Sequence, residues 1–134
     1  MDKLFELNRG DVVYADLGQH PKSSVQSGRR PCLIISSSKD NLVYSNPVVT
    51  ICPCTTRYEE NRKEYHILLT KKDVDGYLAK ASLIMTEQVM TVDKRQILMK
   101  ISHVTNENVL KKVSAALQGR LGLRDTEGAE VFDK

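Results

Sequence analysis

Apolar residues in this chain come in short runs that stop at turn formers, and one stretch near the C-terminus repeats at helical spacing. That pattern confines the chain to a mainly β domain closed by a helix. In Asp11–Leu17, Val13, Ala15 and Leu17 share one face and Val12, Tyr14 and Asp16 the other, which predicts a first strand. Pro31–Ser36 is a short apolar run that reads as a buried second strand. Val48–Thr55 predicts a third, with a bulge or an edge position at Pro53, because proline cannot donate to the ladder. Glu64–Thr70, a short piece near Tyr77–Ala79, Leu83–Thr91 and Leu98–Val104 read as further strands, while Ser37–Asn46 carries turn chemistry. Val109, Leu110, Val113, Ala116, Leu117 and Leu121 then recur at helical spacing, predicting a helix over Asn106–Arg120 with Thr105 as its N-cap and Gly119 and Gly122 marking its end.

Six or seven short strands and one helix describe a small antiparallel barrel with a helix packed against it. At 134 residues the chain fits one domain, expected over residues 1–123, followed by a polar, acidic tail over 124–134 that is expected to be disordered when the protein is free. A hydrophobic fraction of 40% suffices for a core. No secretory signal or membrane-length apolar run is apparent, and three cysteines, an odd number, fit a reducing cytoplasm better than a disulfide scaffold.

A net charge of +3 permits a local phosphate site but does not describe a protein that coats nucleic acid unselectively. The sequence has no Gly-rich phosphate loop of the Walker or dinucleotide type. Cys52-Pro53-Cys54 lacks the spacing of common zinc knuckles and a fourth ligand, so these sulfurs read as small buried hydrophobes, and neither metal nor cofactor is implied. Of the three histidines, His66 alternates with apolar neighbours and reads as structural, and His20 reads as a solvated loop residue. The candidate chemistry is basic. Lys22, Arg29 and Arg30 lie where the long Gly18–Arg29 loop meets the second strand, and Thr55, Thr56 and Arg57 lie where the third strand ends. A guanidinium fork matches two phosphate oxygens, and a threonine adds a hydroxyl hydrogen bond. Read alone, such residues are more often a solvated surface than a site.

Several ordered motifs resemble one family. Arg9-Gly10-Asp11-Val12-Val13-Tyr14-Ala15-Asp16-Leu17 looks like the opening strand of the MazF/PemK toxins, and Gly28-Arg29-Arg30-Pro31 with its apolar strand resembles their Gly-x-Arg-Pro segment. Asn46-Pro47 leads into the strand ending at Thr55, and Glu87-Gln88-Val89-Met90-Thr91-Val92-Asp93-Lys94 resembles the Glu-Gln-x-x-Thr-x-Asp-Lys signature. The likeness spans roughly residues 9–123. It implies an SH3-like barrel of the CcdB/PemK type that works as a homodimer. It also implies a toxin of a type II toxin–antitoxin system that cuts single-stranded RNA without metal, in the cytoplasm, and is silenced by an acidic antitoxin. The resemblance assigns catalysis to Arg30, the arginine immediately before the proline, and to Thr55. It assigns the RNA groove to Ser24, Gln26, Arg57, Ser82 and Gln88, to which the basic residues Lys22 and Arg29 are added. Val25, Arg57 and Met90 stand where many or some relatives carry glutamate, glutamine and arginine, which bears on the RNA sequence recognised. Two other classes share the shape: a gyrase poison resembling CcdB, which uses a Trp-Gly-Ile ending absent here, and a non-catalytic nucleic-acid-binding barrel, which needs more aromatic surface than 5% of residues provides.

Overall fold

The computed structural model describes residues 6–58 and 64–124, so that, apart from Arg124, the acidic tail lies outside the described residues. Eight strands form one curled antiparallel sheet, a half-barrel. They are β1 (Asp11–Asp16), β2 (Arg29–Ile34), β3 (Val48–Thr55), β4 (His66–Leu69), β5 (Val74–Gly76), β6 (Ser82–Met85), β7 (Met90–Asp93) and β8 (Ile97–Val104). Helix α1 (Ser38–Asn41) is a single turn, and α2 (Glu107–Arg120) closes the chain. The order across the sheet is β4-β6-β3-β2-β1-β8-β5, and β7 pairs with β3 outside that path.

Both faces of the central strands are buried, which explains their nearly continuous apolar runs. Val13, Ala15 and Leu17 of the first segment meet Cys32, Ile34, Val49, Ile51, Val92 and Ile97 in one core cluster. Val12, Leu33, Cys52 and Cys54, on the alternate positions, meet Leu69, Ile84, Val104 and the helix residues Val109 and Val113 in the other. The period of two thus sorts one strand between two cores. Among the described residues no helix is long and apolar enough to cross a membrane.

β3 is central rather than an edge. Ile51, Cys52 and Pro53 pair with Ile34, Leu33 and Cys32 of β2. On its other side Val48–Ile51 pair with β7, whereas Cys54 and Thr55 pair with β6. The Thr50 carbonyl faces the β2 side, where it accepts the N–H groups of Ile35 and Ser36. Alternation therefore turns the Pro53 nitrogen to the opposite side, between the last pair with β7 at Ile51 and the first with β6 at Cys54.

Several boundaries differ from expectation, β4 for one being shorter than the expected Glu64–Thr70. The run Leu83–Thr91 is not one strand, because a 3-10 turn at Thr86–Gln88 carries the chain across the gap between β6 and β7. The short strand near Tyr77–Ala79 lies earlier, at Val74–Gly76. Gly76 has φ +117, and a Cβ there would lie 2.9 Å from the Cα of Ser102, so glycine permits the close approach of β5 to β8. The second strand runs from Arg29 to Ile34, and Ile35 and Ser36 leave the regular register by sharing one acceptor on Thr50. The cap of α2 is Asn106, whose side chain accepts the Asn108 N–H, while the Thr105 hydroxyl donates to the Asp73 carbonyl.

Candidate active site

The long loop after β1 is pinched shut at its base. Gly18 and Gly28 both have positive φ, 79° and 76°, and Gly28 donates its N–H to the Gly18 carbonyl at 2.8 Å while Leu17 donates to the Gly28 carbonyl at 2.9 Å. His20 also serves this base, its Nε2 lying 3.1 Å from the Leu17 carbonyl. β2 leaves the pinch with two arginines on opposite faces. The Arg29 side chain is 66% exposed and lies 3.8 Å from Asp16. Arg30 turns the other way: its Nε donates to the Ser27 carbonyl at 3.1 Å and its Nη1 to the Cys54 carbonyl at 3.3 Å. Two of the five guanidinium donors thereby fix the plane of the group and leave the others for a ligand.

Thr55 ends β3 beside it and is buried. Its Oγ1 accepts the Arg57 N–H at 3.1 Å, an ST turn that orients the hydroxyl and brings the Arg57 backbone back toward the site. Arg30, Thr55 and Arg57 together line two neighbouring cavities. The larger, about 560 Å³, is completed by Ser24, Gln26, His66, Met85, Glu87, Gln88 and their loop neighbours. The smaller, about 220 Å³, lies toward Ser82, whose hydroxyl donates to the Lys80 carbonyl.

Gln88 acts as a clip across the larger cavity. Its Oε1 accepts the Gln26 N–H and its Nε2 donates to the Ser24 carbonyl, both at 3.2 Å, which ties the long loop to the turn between β6 and β7. Of the nine residues expected at the site, seven line one or both cavities. Lys22 and Arg29 line neither: Lys22 is exposed with φ 59 at the loop tip, and Arg29 is on the far face of its strand.

Sequence reasoning missed an acid–base pair in the cavity wall. His66 Nε2 lies 2.9 Å from Glu87 Oε2, with the two side chains only 2% and 9% exposed. The ladder of β4 with β6 sets His66 opposite Met85, and the 3-10 turn then swings Glu87 back over the imidazole. The glutamate belonged to a quoted motif, but its partner 21 positions away is fixed only by strand register. The sulfurs behind the site are inert by contrast. All three cysteines are buried and unpaired, and burial pushes the thiols of Cys52 and Cys54 up to about 12.

The arrangement gives an anchored guanidinium, an oriented hydroxyl and a histidine–carboxylate pair around one cavity. A model of the PemK-like, MazF-like toxins of type II toxin–antitoxin systems matches residues 8–120. The chain is 33% identical over 119 residues to Endoribonuclease EndoA of Bacillus subtilis (strain 168), covering 89% of this chain and 97% of the relative. In structure it resembles MazF (Form-I) of Deinococcus radiodurans, with a TM-score of 0.70 at 21% identity over 87% of this chain and 96% of the other. It also resembles an endoribonuclease in complex with its cognate antitoxin from Mycobacterial species, with a TM-score of 0.63 at 23% identity over 89% and 96% of the two chains. With a family match that runs from before the first strand to the last turn of α2, this chain belongs to the PemK-like, MazF-like toxins of type II toxin–antitoxin systems.

Proposed function

We propose that this toxin is a sequence-specific endoribonuclease that cuts single-stranded RNA, mRNA above all, without a metal ion, and so arrests translation and growth. The observation that carries the reading is the meeting of Arg30 and Thr55 on one wall, with the guanidinium held by two backbone carbonyls. RNA carries its own nucleophile, the ribose 2′-hydroxyl, so an enzyme can gain much of its rate by holding that oxygen in line with phosphorus. Negative charge gathers on the phosphoryl oxygens as the bond forms, and a preorganised cation stabilises it without reorganising. Arg30 takes that role and Thr55 fixes the scissile phosphate. Ser24, Gln26 and Arg57 hold the strand on one side of the phosphate, Ser82 on the other, and Gln88 sets the position of the loop.

The same reading makes the protein a homodimer that acts in the cytoplasm, where unpaired thiols such as its own persist. Its regulator is an acidic antitoxin. Two similar structures are an endoribonuclease in complex with its cognate antitoxin and a MazE-MazF complex, and the basic groups Arg30 and Arg57 would attract an acidic segment into the cavity. Incubating the protein with end-labelled single-stranded RNA in EDTA tests the enzyme. The expected products carry a 2′,3′-cyclic phosphate and a 5′-hydroxyl at one short sequence motif. Products with 5′-phosphate ends, or no cutting with or without divalent ions, would overturn the proposal.

A further inference from the structure

A single strand of RNA leaves the faces of its bases open, and proteins hold such bases by stacking them on aromatic rings. Among the described residues that line the two cavities there is no phenylalanine, tyrosine or tryptophan. Two tyrosines stand next to lining residues in the chain. Tyr65 precedes His66, but its ring lies 5.6 Å from the Arg120 guanidinium of α2. Tyr58 follows Arg57, and its hydroxyl donates to the Ala81 carbonyl at 2.7 Å, the usual length for such a bond. Arg57 lines the smaller cavity just beyond the end of β3, and Ser82, next after Ala81, lines it from the start of β6. The phenol ring therefore bridges the two strands at the border of that cavity. It is tethered at its root by the turn between Thr55 and Arg57 and at its tip by the hydroxyl. The residue is nevertheless 48% exposed. Such a ring offers an apolar face at low entropic cost, because only two torsions position it and both ends are already held.

We propose that Tyr58 is a stacking platform for one base beside the cut, that of the nucleotide on the Ser82 side of the scissile phosphate. The proposal rests on the endoribonuclease reading above, and it adds a base-binding residue beside groups that hold the backbone. Arg30, Thr55 and Arg57 line both cavities, so a phosphate held by them sends its strand into the larger cavity one way and past Ser82 the other. A base turned out on the Ser82 side meets the ring of Tyr58 as the strand leaves the phosphate. Stacking there orders the sugar and phosphate attached to that base, and so contributes to the in-line geometry that the attack requires. Every base has a π-face, so the platform accepts any of the four, with purines favoured modestly by their larger surface. No bond is made or broken at Tyr58.

The test couples a substitution in the protein to a deletion in the RNA. A short RNA carrying the motif found in the cleavage assay is prepared intact and in two abasic forms. Each abasic form lacks the base on one side of the cut and keeps every ribose hydroxyl and phosphate. kcat/KM is measured for the natural protein, Tyr58→Phe and Tyr58→Leu, each checked for unchanged thermal unfolding. Loss of a stacked base lowers binding roughly 5–100-fold, and the natural protein should lose that factor on one of the abasic RNAs. Tyr58→Leu should lose a similar factor on the intact RNA and little more on that abasic RNA, because the two changes remove one interaction. Tyr58→Phe keeps the ring and should stay sensitive to the missing base. A 2-aminopurine at that nucleotide, in an RNA made uncleavable by deoxyribose at the cut, should be quenched by the natural protein and by Tyr58→Phe but not by Tyr58→Leu. A tyrosine that only braced the strands would not change that signal. Losses from Tyr58→Leu and from the missing base that multiply independently would overturn the proposal. So would undiminished cutting of the intact RNA by Tyr58→Leu, or equal losses for Tyr58→Phe and Tyr58→Leu on all three RNAs. If Tyr58→Leu does not fold, the natural protein still decides, since an unquenched 2-aminopurine on both sides of the cut would overturn the platform. Failure of the natural protein to cut the intact RNA would instead sink the endoribonuclease reading itself.

Discussion

Two histidine–carboxylate pairs of nearly equal length sit in this half-barrel, and they differ in burial and in how fully each carboxylate is satisfied. His103 Nδ1 lies 2.8 Å from Asp11 Oδ1 where β8 pairs with the start of β1. Asp11 is saturated, because its Oδ2 also accepts the Asn8 N–H at 2.8 Å and lies 3.6 Å from the Lys100 ammonium. The imidazole is 46% exposed and packs over Gly10, where a Cβ would come within 3.2 Å of it. His66 and Glu87 are sealed by comparison, yet Glu87 keeps an oxygen without a partner. A carboxylate whose capacity is filled by its own chain serves the fold. The carboxylate in the cavity wall is held on one side only, by His66.

The largest expected effect lies beside the second pair. Arg30→Ala should slow RNA cleavage on the order of 10²–10³-fold, since it removes the charge partner of the transition state, while Arg29→Ala should cost only a few-fold. Single-turnover rates on proteins with unchanged thermal unfolding decide this, and equal losses would break the division between the two faces of β2. Next in size is the first pair. Asp11→Asn should destabilise the protein by about 2 kcal/mol, because three groups lose a charged acceptor, and should leave the cleavage rate within a few-fold. Glu87→Gln should cost less stability, because only the His66 contact is altered, with urea unfolding as the measure; a larger stability loss at Glu87 than at Asp11 would remove the contrast.

A smaller effect is expected at Asp73, which anchors the start of α2. Burial alone would raise its pKa, but hydrogen bonds from Asn106 and Thr70, with Lys112 nearby, outweigh that and hold it below the usual range. The depressed value means that its stabilisation is present above the unfolded pKa of about 4 and disappears as pH falls through the folded one. Asp73→Asn should therefore cost about 1 kcal/mol at neutral pH, discounted for partial exposure, and the deficit should shrink below about pH 4 in unfolding experiments. A deficit independent of pH would show that packing, not charge, anchors the helix. The smallest change is expected from Gln88→Ala. Releasing the clip on Ser24 and Gln26 should raise KM a few-fold with kcat nearly unchanged, and a fall in kcat instead would place Gln88 in the chemistry rather than in loop placement.

Strands with a regular apolar pattern were legible, whether buried on both faces like β1 and β3 or half exposed like β8. β3 was expected with its observed ends, and β1 and β8 lie within one residue of theirs. Positions set by contacts with distant chain were less legible. Asn106 displaced Thr105 as the cap because the Thr105 hydroxyl is drawn to the Asp73 carbonyl, and β5 slid to the one glycine that fits against Ser102. At the site, the basic residues and threonines marked Arg30 and Thr55 as candidates for a phosphate, but the resemblance alone singled them out from their neighbours. His66 escaped notice because alternation with apolar neighbours signals burial and says nothing about which residue the sheet register will place against it.

The fork in β3 also bears on how this architecture can change. Ile51 pairs with Met90 on one arm and Cys54 with Ile84 on the other, so each ladder holds its own register without reference to the other. The turn Thr86–Gln88 spans the space between two fixed anchors, and Pro53 faces it without a backbone donor to satisfy. Beyond Thr86, which is buried and bonded to the Tyr65 carbonyl, the turn can therefore vary while neither hairpin slips. Elsewhere in a sheet one inserted residue inverts every side chain beyond it. Here the segment that carries Glu87 and Gln88 is a replaceable part, and descent with modification can rewrite what this enzyme touches while leaving the frame that holds it intact.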